Sequence, residues 1–295
     1  MRYLLLYYTG TFNTRYLTNN LKTRLLNEGI EVDTYEINPL KIEKLDLSKY
    51  DVIGLGYPIY GFNTPKPFLK FVRKQHFLID QKVFIYKNSG ETYHVNDASS
   101  VGLVRKIKKD KAKVTNEYHF MMPYNIHFRF DELLVNEILE MDELLLDILV
   151  KEVTSNIENI KKYKFIHKIV SFFVKLQYIG GPINSFFYRI DKNVCVDCGK
   201  CINECPVSNI YKDKNGKIKF HHQCLMCMRC SMFCPKDAIR IGLFNSWRVN
   251  KPYNFEQIKL LEKKNPIISK DTKGFFKCYI ETYENISKRH KELFK

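Results

Sequence analysis

Val194-Cys195-Val196-Asp197-Cys198-Gly199-Lys200-Cys201-Ile202-Asn203-Glu204-Cys205-Pro206 returns 29 residues later as Gln223-Cys224-Leu225-Met226-Cys227-Met228-Arg229-Cys230-Ser231-Met232-Phe233-Cys234-Pro235. Both stretches read Cys-x2-Cys-x2-Cys-x3-Cys-Pro, and together they use eight of the nine cysteines. Three evenly spaced thiols let a tight loop wrap three corners of one iron-sulfur cube, while the fourth, followed by proline, reaches the neighbouring cube. The expected ligands of cluster I are therefore Cys195, Cys198, Cys201 and Cys234, and those of cluster II are Cys224, Cys227, Cys230 and Cys205. A zinc site also uses Cys-x2-Cys pairs, but it closes with two separated pairs and gives no reason for a third thiol and a Cys-Pro, twice. A disulfide framework needs an oxidising compartment, whereas Met1 runs directly into a strand-like Arg2–Tyr8 with no cleavable apolar segment, so a reducing cytoplasm is expected. The repeat extends past the ligands: Ile210 and Ile239 each stand five residues after the last Cys of their run, placed to cap the ends of a small shared core.

The two-cluster module occupies a fraction of 295 residues that are 45% hydrophobic and 14% aromatic, enough for about two domains. No run of about 20 apolar residues is free of charge, so no transmembrane helix is expected. The nearest candidate, Phe165–Tyr188, is interrupted by His167, Lys168 and Lys175 and reads as an amphipathic helix packed on the protein. The formal net charge of +16 falls to about +12 once two clusters with four thiolates each are counted, and to about +10 with a flavin phosphate. Basic stretches such as Arg105–Lys113 and Lys161–Lys164 suit a solvated face or the steering of an acidic protein partner. No basic-aromatic nucleic-acid module is present.

Ahead of the cysteines, short apolar runs alternate with helical stretches. Strands are expected at Arg2–Tyr8, Glu31–Ile37, Asp51–Tyr57, Lys82–Lys87 and Val114–Met121, and helices at Thr14–Asn27 (closed by Gly29), Phe68–Gln75 and Asp97–Lys108. That order implies an α/β fold, a five-stranded doubly wound parallel sheet that takes ligands at the carboxyl ends of its strands. Three loops lie there: Thr9–Thr14, Pro58–Thr64 and Asn88–Val95. The first, Thr9-Gly10-Thr11-Phe12-Asn13-Thr14, joins a strand to a helix amino terminus, where free N–H groups and hydroxyls suit a monophosphate. The same residue types also cap helices without any ligand.

The order of these parts resembles a known family, flavodoxin-like domains fused to a two-cluster bacterial ferredoxin, found in anaerobic bacteria. The resemblance extends to about Gly242 and implies FMN beside two [4Fe-4S] clusters. Thr9, Thr11 and Thr14 match the family's phosphate loop. Gly56-Tyr57-Pro58-Ile59-Tyr60-Gly61 is similar to the loop that lies against the flavin ring, and Asn88-Ser89-Gly90-Glu91 resembles the second ring-flanking loop. Met122-Pro123-Tyr124-Asn125 is similar to the family's Met-Pro-x-Asn segment. The implied flavin contacts are Thr9, Gly10, Thr11, Phe12, Asn13, Thr14, Pro58, Ile59, Tyr60, Gly61, Asn88, Ser89 and Gly90, with Tyr57, Tyr60 and Tyr93 as candidates to stack on the ring. Phe12 departs from the family, which carries glycine there. With the threonine hydroxyls kept around it, a negative φ at Phe12 is expected.

The expected division is 1–150 flavodoxin-like domain, 151–190 helical linker, 191–242 ferredoxin domain (small, α+β) and 243–295 carboxy-terminal extension. Asp131–Ile160 reads as a helix, with Leu134, Ile138, Met141, Leu145 and Ile148 on one face. Its first half is expected to close the sheet and the rest to lead outward, and Gly180-Gly181-Pro182 reads as a hinge. Cys278 has no partner at cluster spacing and reads as inert. The function expected is electron relay between FMN, the two clusters and redox partner proteins. Two alternatives stand beside it: a flavin-dependent reductase, and a ferredoxin whose flavodoxin-like domain serves only for docking. No Gly-x-Gly-x-x-Gly follows a strand, which speaks against NAD(P)H oxidation. His94 is the one candidate proton donor and no other catalytic group stands out.

Overall fold

The computed structural model describes residues 1–161, 164, 166, 167, 169, 170, 177–263 and 265–295. Strands β1 (Arg2–Tyr7), β2 (Glu31–Glu36), β3 (Val52–Pro58), β4 (Lys82–Ser89) and β5 (Lys113–Met121) form one sheet in the order β2-β1-β3-β4-β5, every pair parallel. This is the flavodoxin-like doubly wound order. Helices α1 (Asn13–Asn27), α2 (Lys66–Arg73), α3 (Val101–Lys109) and α4 (Glu132–Thr154) cover its faces.

The two-residue period of a strand explains the layering. On β1, Tyr3, Leu5 and Tyr7 pack with Leu17, Leu21 and Leu25 of α1 and with α4. Leu4, Leu6 and Tyr8 pack on the other face with Phe68, Phe71 and Val72 of α2 and Leu103 and Ile107 of α3. Buried on both faces, the strand reads as an unbroken apolar run. Each such leucine contributes about 1.5–3 kcal/mol of transfer free energy.

Helix α4 starts where the side chain of Asp131 accepts from Leu133 N at 2.8 Å and ends at Thr154, with Asn156 just beyond at φ 56. It does not lead outward in its second half. Leu146, Leu149, Val150 and Val153 are buried in the same core as Leu134 and Ile138 because the helix at Cys278–Leu293 covers them.

The ferredoxin-type module follows α5 (Gln177–Ser185). It comprises β6 (Tyr188–Ile190), α6 (Lys200–Asn203), β7 (Ile210–Lys212), β8 (Ile218–Phe220), α7 (Arg229–Met232) and β9 (Ile239–Ile241), with β6 antiparallel to β9 and β7 to β8. Its halves repeat in backbone as in sequence. Left-handed residues occur at Asp197 and Met226, Gly199 and Met228, and Ser208 and Asp237. Ile210 and Ile239 are both buried.

Gly180-Gly181-Pro182 is not a hinge: it lies inside α5, with Pro182 in the helix interior. A Cβ on Gly181 would stand 2.6 Å from the carbonyl oxygen of Cys224, so glycine here answers to close packing of α5 on the cysteine loop. The amphipathic reading of Phe165–Tyr188 and the basic stretch Lys161–Lys164 fall partly outside the described residues.

The carboxy-terminal extension holds α8 (Phe255–Ile258) and α9 (Cys278–Leu293). Tyr279 and Ile286 of α9 join the core of α1 and α4. Arg289 pairs with the fully buried Glu152 of α4 at 2.7 Å, and Glu152 also accepts from the Tyr118 hydroxyl at 2.7 Å. Among the described residues no helix is long and apolar enough to cross a membrane.

Candidate functional site

The left-handed residues fold each cysteine run back on itself, so thiols far apart in sequence face a common volume. One cavity is lined by Cys195, Cys198 and Cys201 together with Cys234. A second is lined by Cys224, Cys227 and Cys230 together with Cys205. In both halves the amide four residues past the fourth cysteine donates to its sulfur: Asn209 N to Cys205 Sγ at 3.2 Å and Ala238 N to Cys234 Sγ at 3.2 Å. Met226 N donates to Cys224 Sγ at 3.3 Å. The thiols surround a volume rather than a point, and among the described residues no three His, Cys, Asp or Glu side chains form a group that could hold a single metal ion.

The two cavities differ in solvent access. Cys198 is exposed, and Val194 and Val196 beside it are 40% and 57% exposed, whereas Cys227 is buried. Burial pushes the Cys201 thiol up to about 11 and Cys227 to about 12, with neighbouring thiols adding to the shift, and it pushes Cys230 well above its ordinary value. Thiols held neutral in this way become thiolates only against a strong positive charge, which is what the iron of a cluster supplies. The donor set therefore fits two cubanes.

At the carboxyl ends of the strands lies a pocket of about 560 Å³. The three expected loops meet there: Thr9, Gly10, Thr11, Asn13 and Thr14; Pro58, Ile59, Tyr60 and Gly61; and Asn88, Ser89 and Gly90. Met122, Pro123, Tyr124 and Asn125 complete that side. The Asn88–Glu91 loop is braced from below by Lys87, fully buried, whose Nζ donates to Glu117 Oε1 at 2.5 Å and to the carbonyls of Asn96 and Asp97. Ser89 Oγ donates to the Glu91 carbonyl at 2.6 Å and lies 2.7 Å from His119 Nε2, so Ser89 and His119 share a hydrogen bond.

Three expected contacts lie elsewhere. Phe12 is outside the pocket and has φ 73, not a negative value. Its ring turns to the cysteine module, 5.0 Å edge-on from Phe233, with the guanidiniums of Arg15 and Arg229 over it at 4.3 and 4.6 Å. The left-handed backbone costs about 1–2 kcal/mol, and these contacts offset it. Tyr57 is buried against Phe68, and Tyr93 is an exposed neighbour of Phe275. His94 is exposed and meets Asp97 at 3.3 Å, away from the pocket. The Cys278 thiol donates to the Phe275 carbonyl at 3.2 Å.

Much of the remaining wall comes from residues that the loop patterns did not indicate: Cys224, Leu225 and Met226 of the cysteine module, and Phe244 and Trp247 just after it, with Ile126, His127, Lys66 and Gly180 beside them. Cys224 and Leu225 also line the second thiol cavity, so pocket and cavity share a wall. The spacing of the cysteines carries no sign of this, because the contact joins segments over 100 residues apart. Asn125 Nδ2 ties the three parts together, donating to Cys227 O at 3.2 Å and to Thr11 Oγ1 at 3.4 Å.

The pocket fits a phosphate-bearing flavin. Thr9 Oγ1 lines it, is buried, and has no hydrogen-bond partner among the described residues. An orphaned buried hydroxyl at the amino end of α1 asks for an acceptor such as a phosphate oxygen. At Gly10 a Cβ would stand 2.0 Å from Tyr60 Oη, so the backbone itself comes close to the facing loop.

Comparison with known proteins bears on the cysteine module first. The 4Fe-4S dicluster domain family matches residues 194–239. The pyruvate synthase subunit PorD of Methanocaldococcus jannaschii is 37% identical over 60 residues, 20% of this chain and 70% of that one. An uncharacterised ferredoxin of the same archaeon is 36% identical over 56 residues, 18% of this chain and 73% of its own. Another M. jannaschii ferredoxin is 40% identical over 53 residues, and there the match covers 17% of this chain and only 35% of the relative's length. The flavodoxin of Streptococcus pneumoniae TIGR4 superposes with a TM-score of 0.36 at 16% identity, over 50% of this chain and 96% of its own. A short-chain flavodoxin associated with a bacterial microcompartment gives 0.39 at 16%, over 54% and 99%.

Proposed function

This chain belongs to the 4Fe-4S dicluster ferredoxins, electron-transfer proteins, and from that premise we propose that it relays electrons between FMN in the pocket, two [4Fe-4S] clusters in the thiol cavities, and redox partner proteins. When bound, the clusters exchange single electrons and the flavin takes or gives a pair, which joins one-electron carriers to two-electron chemistry. The chain's residues hold and separate these groups. Cys195, Cys198, Cys201 and Cys234 hold cluster I; Cys224, Cys227, Cys230 and Cys205 hold cluster II. Thr9, Thr11 and Thr14 with the amides of their loop take the phosphate, and Tyr60, Gly61, Ser89 and Gly90 flank the ring. Cys224 and Leu225 form the partition between pocket and cavity.

The observation that carries this reading is the shared wall, in which Cys224 borders both the pocket and the second thiol cavity. The first cavity opens to solvent beside Val196, and its exposed rim carries Lys200 and Lys236, which suits an acidic partner. In this reading the chain divides at 1–150, 151–190, 191–242 and 243–295 and works in a cytoplasmic, oxygen-poor setting. A docking domain without flavin has no use for an open pocket with an orphaned threonine hydroxyl, so the relay reading is preferred to it.

Purification without oxygen, followed by assay of iron, sulfide and flavin, tests the proposal. The expected result is about eight iron, eight sulfide and one FMN per chain, with no turnover of small molecules. Clusters without flavin support the docking domain, and reoxidation that depends on an added small molecule supports a reductase.

A further inference from the structure

Arg229 and Lys200 occupy the same place in the two halves of the cysteine repeat, each opening the short helix that follows the second cysteine of its run. Lys200 is exposed at the rim of the first cavity. Arg229 instead crosses to the flavodoxin-like domain. Its Nε donates to the Gly10 carbonyl at 2.5 Å and its Nη2 to the Thr9 carbonyl at 2.8 Å, while Nη1 reaches the Glu204 carbonyl at 3.4 Å. Its plane lies over the Phe12 ring at 4.6 Å, and that ring meets Phe233 three residues past Cys230.

The chemistry of the peptide bond gives this contact a consequence. No cis peptide is present among the described residues, so in each planar unit of this loop the N–H points opposite to the C=O. Holding the carbonyls of Thr9 and Gly10 on Arg229 turns the N–H groups of Gly10 and Thr11 the other way. Both residues line the pocket and Arg229 does not. Among the described residues neither N–H has a protein acceptor. The left-handed Phe12 that follows is the bend that lets α1 begin directly behind these amides.

We propose that Arg229 is a positioning residue for the phosphate loop, through which the state of the second thiol cavity sets the affinity of the pocket for FMN. The inference rests on the reading of the pocket as a flavin site. Arg229 lies between two cluster II ligands, Cys227 and Cys230. A loaded cluster fixes the backbone from which Arg229 extends, and the phosphate amides are then aligned before FMN arrives. Linkage makes the effect reciprocal, so FMN protects cluster II by the factor by which cluster II tightens FMN.

FMN titration by fluorescence quenching on the full chain tests this, using wild type with its clusters, Cys205→Ser, Arg229→Ala, Arg229→Lys and the Cys205→Ser/Arg229→Ala double variant. Cys205 lines the cluster cavity but not the flavin pocket. Cys205→Ser and Arg229→Ala are each expected to weaken FMN binding by about tenfold, within the usual range of coupling between sites. The double variant is expected to be little weaker than either single one. Arg229→Lys keeps the charge but loses the fork that spans two carbonyls, so it is expected to behave as the alanine variant does. In wild type FMN should slow the loss of iron to a chelator, and in Arg229→Ala it should not. Equal FMN affinity in Arg229→Ala and wild type, full restoration by lysine, or strictly additive losses in the double variant each overturn the coupling while leaving the flavin site standing. Absence of FMN binding to the cluster-loaded wild type overturns the flavin reading and the coupling with it.

Discussion

The hydroxyl of Tyr279 donates to the carbonyl oxygen of Gly90 at 2.6 Å, linking the last helix of the chain to a loop of the pocket at the carboxyl ends of the strands. Tyr279 is fully buried, and the preceding residue is tied in as well, since Thr92 Oγ1 donates to the Cys278 carbonyl at 2.6 Å. The carboxy-terminal extension is thus part of the pocket's support. Tyr279→Phe keeps the ring and leaves the Gly90 carbonyl without its donor. The expected cost is about 1 kcal/mol in unfolding free energy, together with a several-fold loss of FMN affinity. Denaturant unfolding and FMN titration of the variant check it, and unchanged values for both contradict the bracing role.

Phe12 separates a backbone effect from a side-chain effect. Alanine removes the ring but keeps the penalty of the left-handed conformation, whereas glycine removes both. Phe12→Gly is therefore expected to be more stable than Phe12→Ala by about 1–2 kcal/mol, and both less stable than wild type because the contacts with Phe233, Arg15 and Arg229 are lost. A glycine variant more stable than wild type would show that the ring contributes less than the strain.

Phe12 also marks the boundary of what the sequence reveals. The apolar periodicity and the turn residues that mark helices and strands depend on residues a few positions apart, so α1 to α4 and β1 to β5 are legible from local pattern. The φ of Phe12 depends on Phe233 and Arg229, more than 200 residues on, and no window around the loop contains them. The same holds for the role of α9 and for Gly181, whose place inside a helix is decided by the Cys224 carbonyl rather than by the turn propensity of Gly-Gly-Pro. Trp247 lines the pocket for reasons equally remote from its neighbours.

Asp142 of α4 gives a pH dependence. It is buried, its Oδ1 accepts from Met121 N at 3.1 Å, and its Oδ2 has no partner among the described residues. Burial pushes its carboxyl well above the ordinary carboxylate range, with only the Met121 amide acting against the shift. The folded state therefore binds a proton that the unfolded state has released above about pH 4. Stability falls as pH rises from there toward the folded value. Asp142→Asn abolishes this term. Chemical unfolding at pH 6 and pH 8 is expected to show a shallower decline for the variant and a gain of about 1–2 kcal/mol at pH 8. A wild-type slope in the variant would place the titrating group elsewhere.

Lys200 and Lys236 line the first thiol cavity from its exposed rim, while Asp197, Asp191 and Asp237 nearby are each paired with a basic side chain, Lys212, Arg240 and Arg248. The Lys200→Glu/Lys236→Glu variant should accept electrons from a reduced acidic ferredoxin about ten times more slowly at low ionic strength and lose most of the salt dependence of that rate. Cluster content and FMN affinity should stay at wild-type values. Stopped-flow mixing across a salt series measures the rate, and a rate unaffected by the two charge reversals rules out this face as the docking site.

The relay itself is tested most directly by counting electrons. The protein, purified without oxygen, is titrated with dithionite while visible absorption follows the flavin and electron paramagnetic resonance follows the clusters. Two clusters that accept one electron each and a flavin that accepts two predict about four equivalents per chain, with flavin bleaching and cluster signals developing in the same protein. Complete reduction at about two equivalents, with cluster signals and no flavin bleaching, would contradict the account and leave a ferredoxin carrying an empty flavodoxin-like domain.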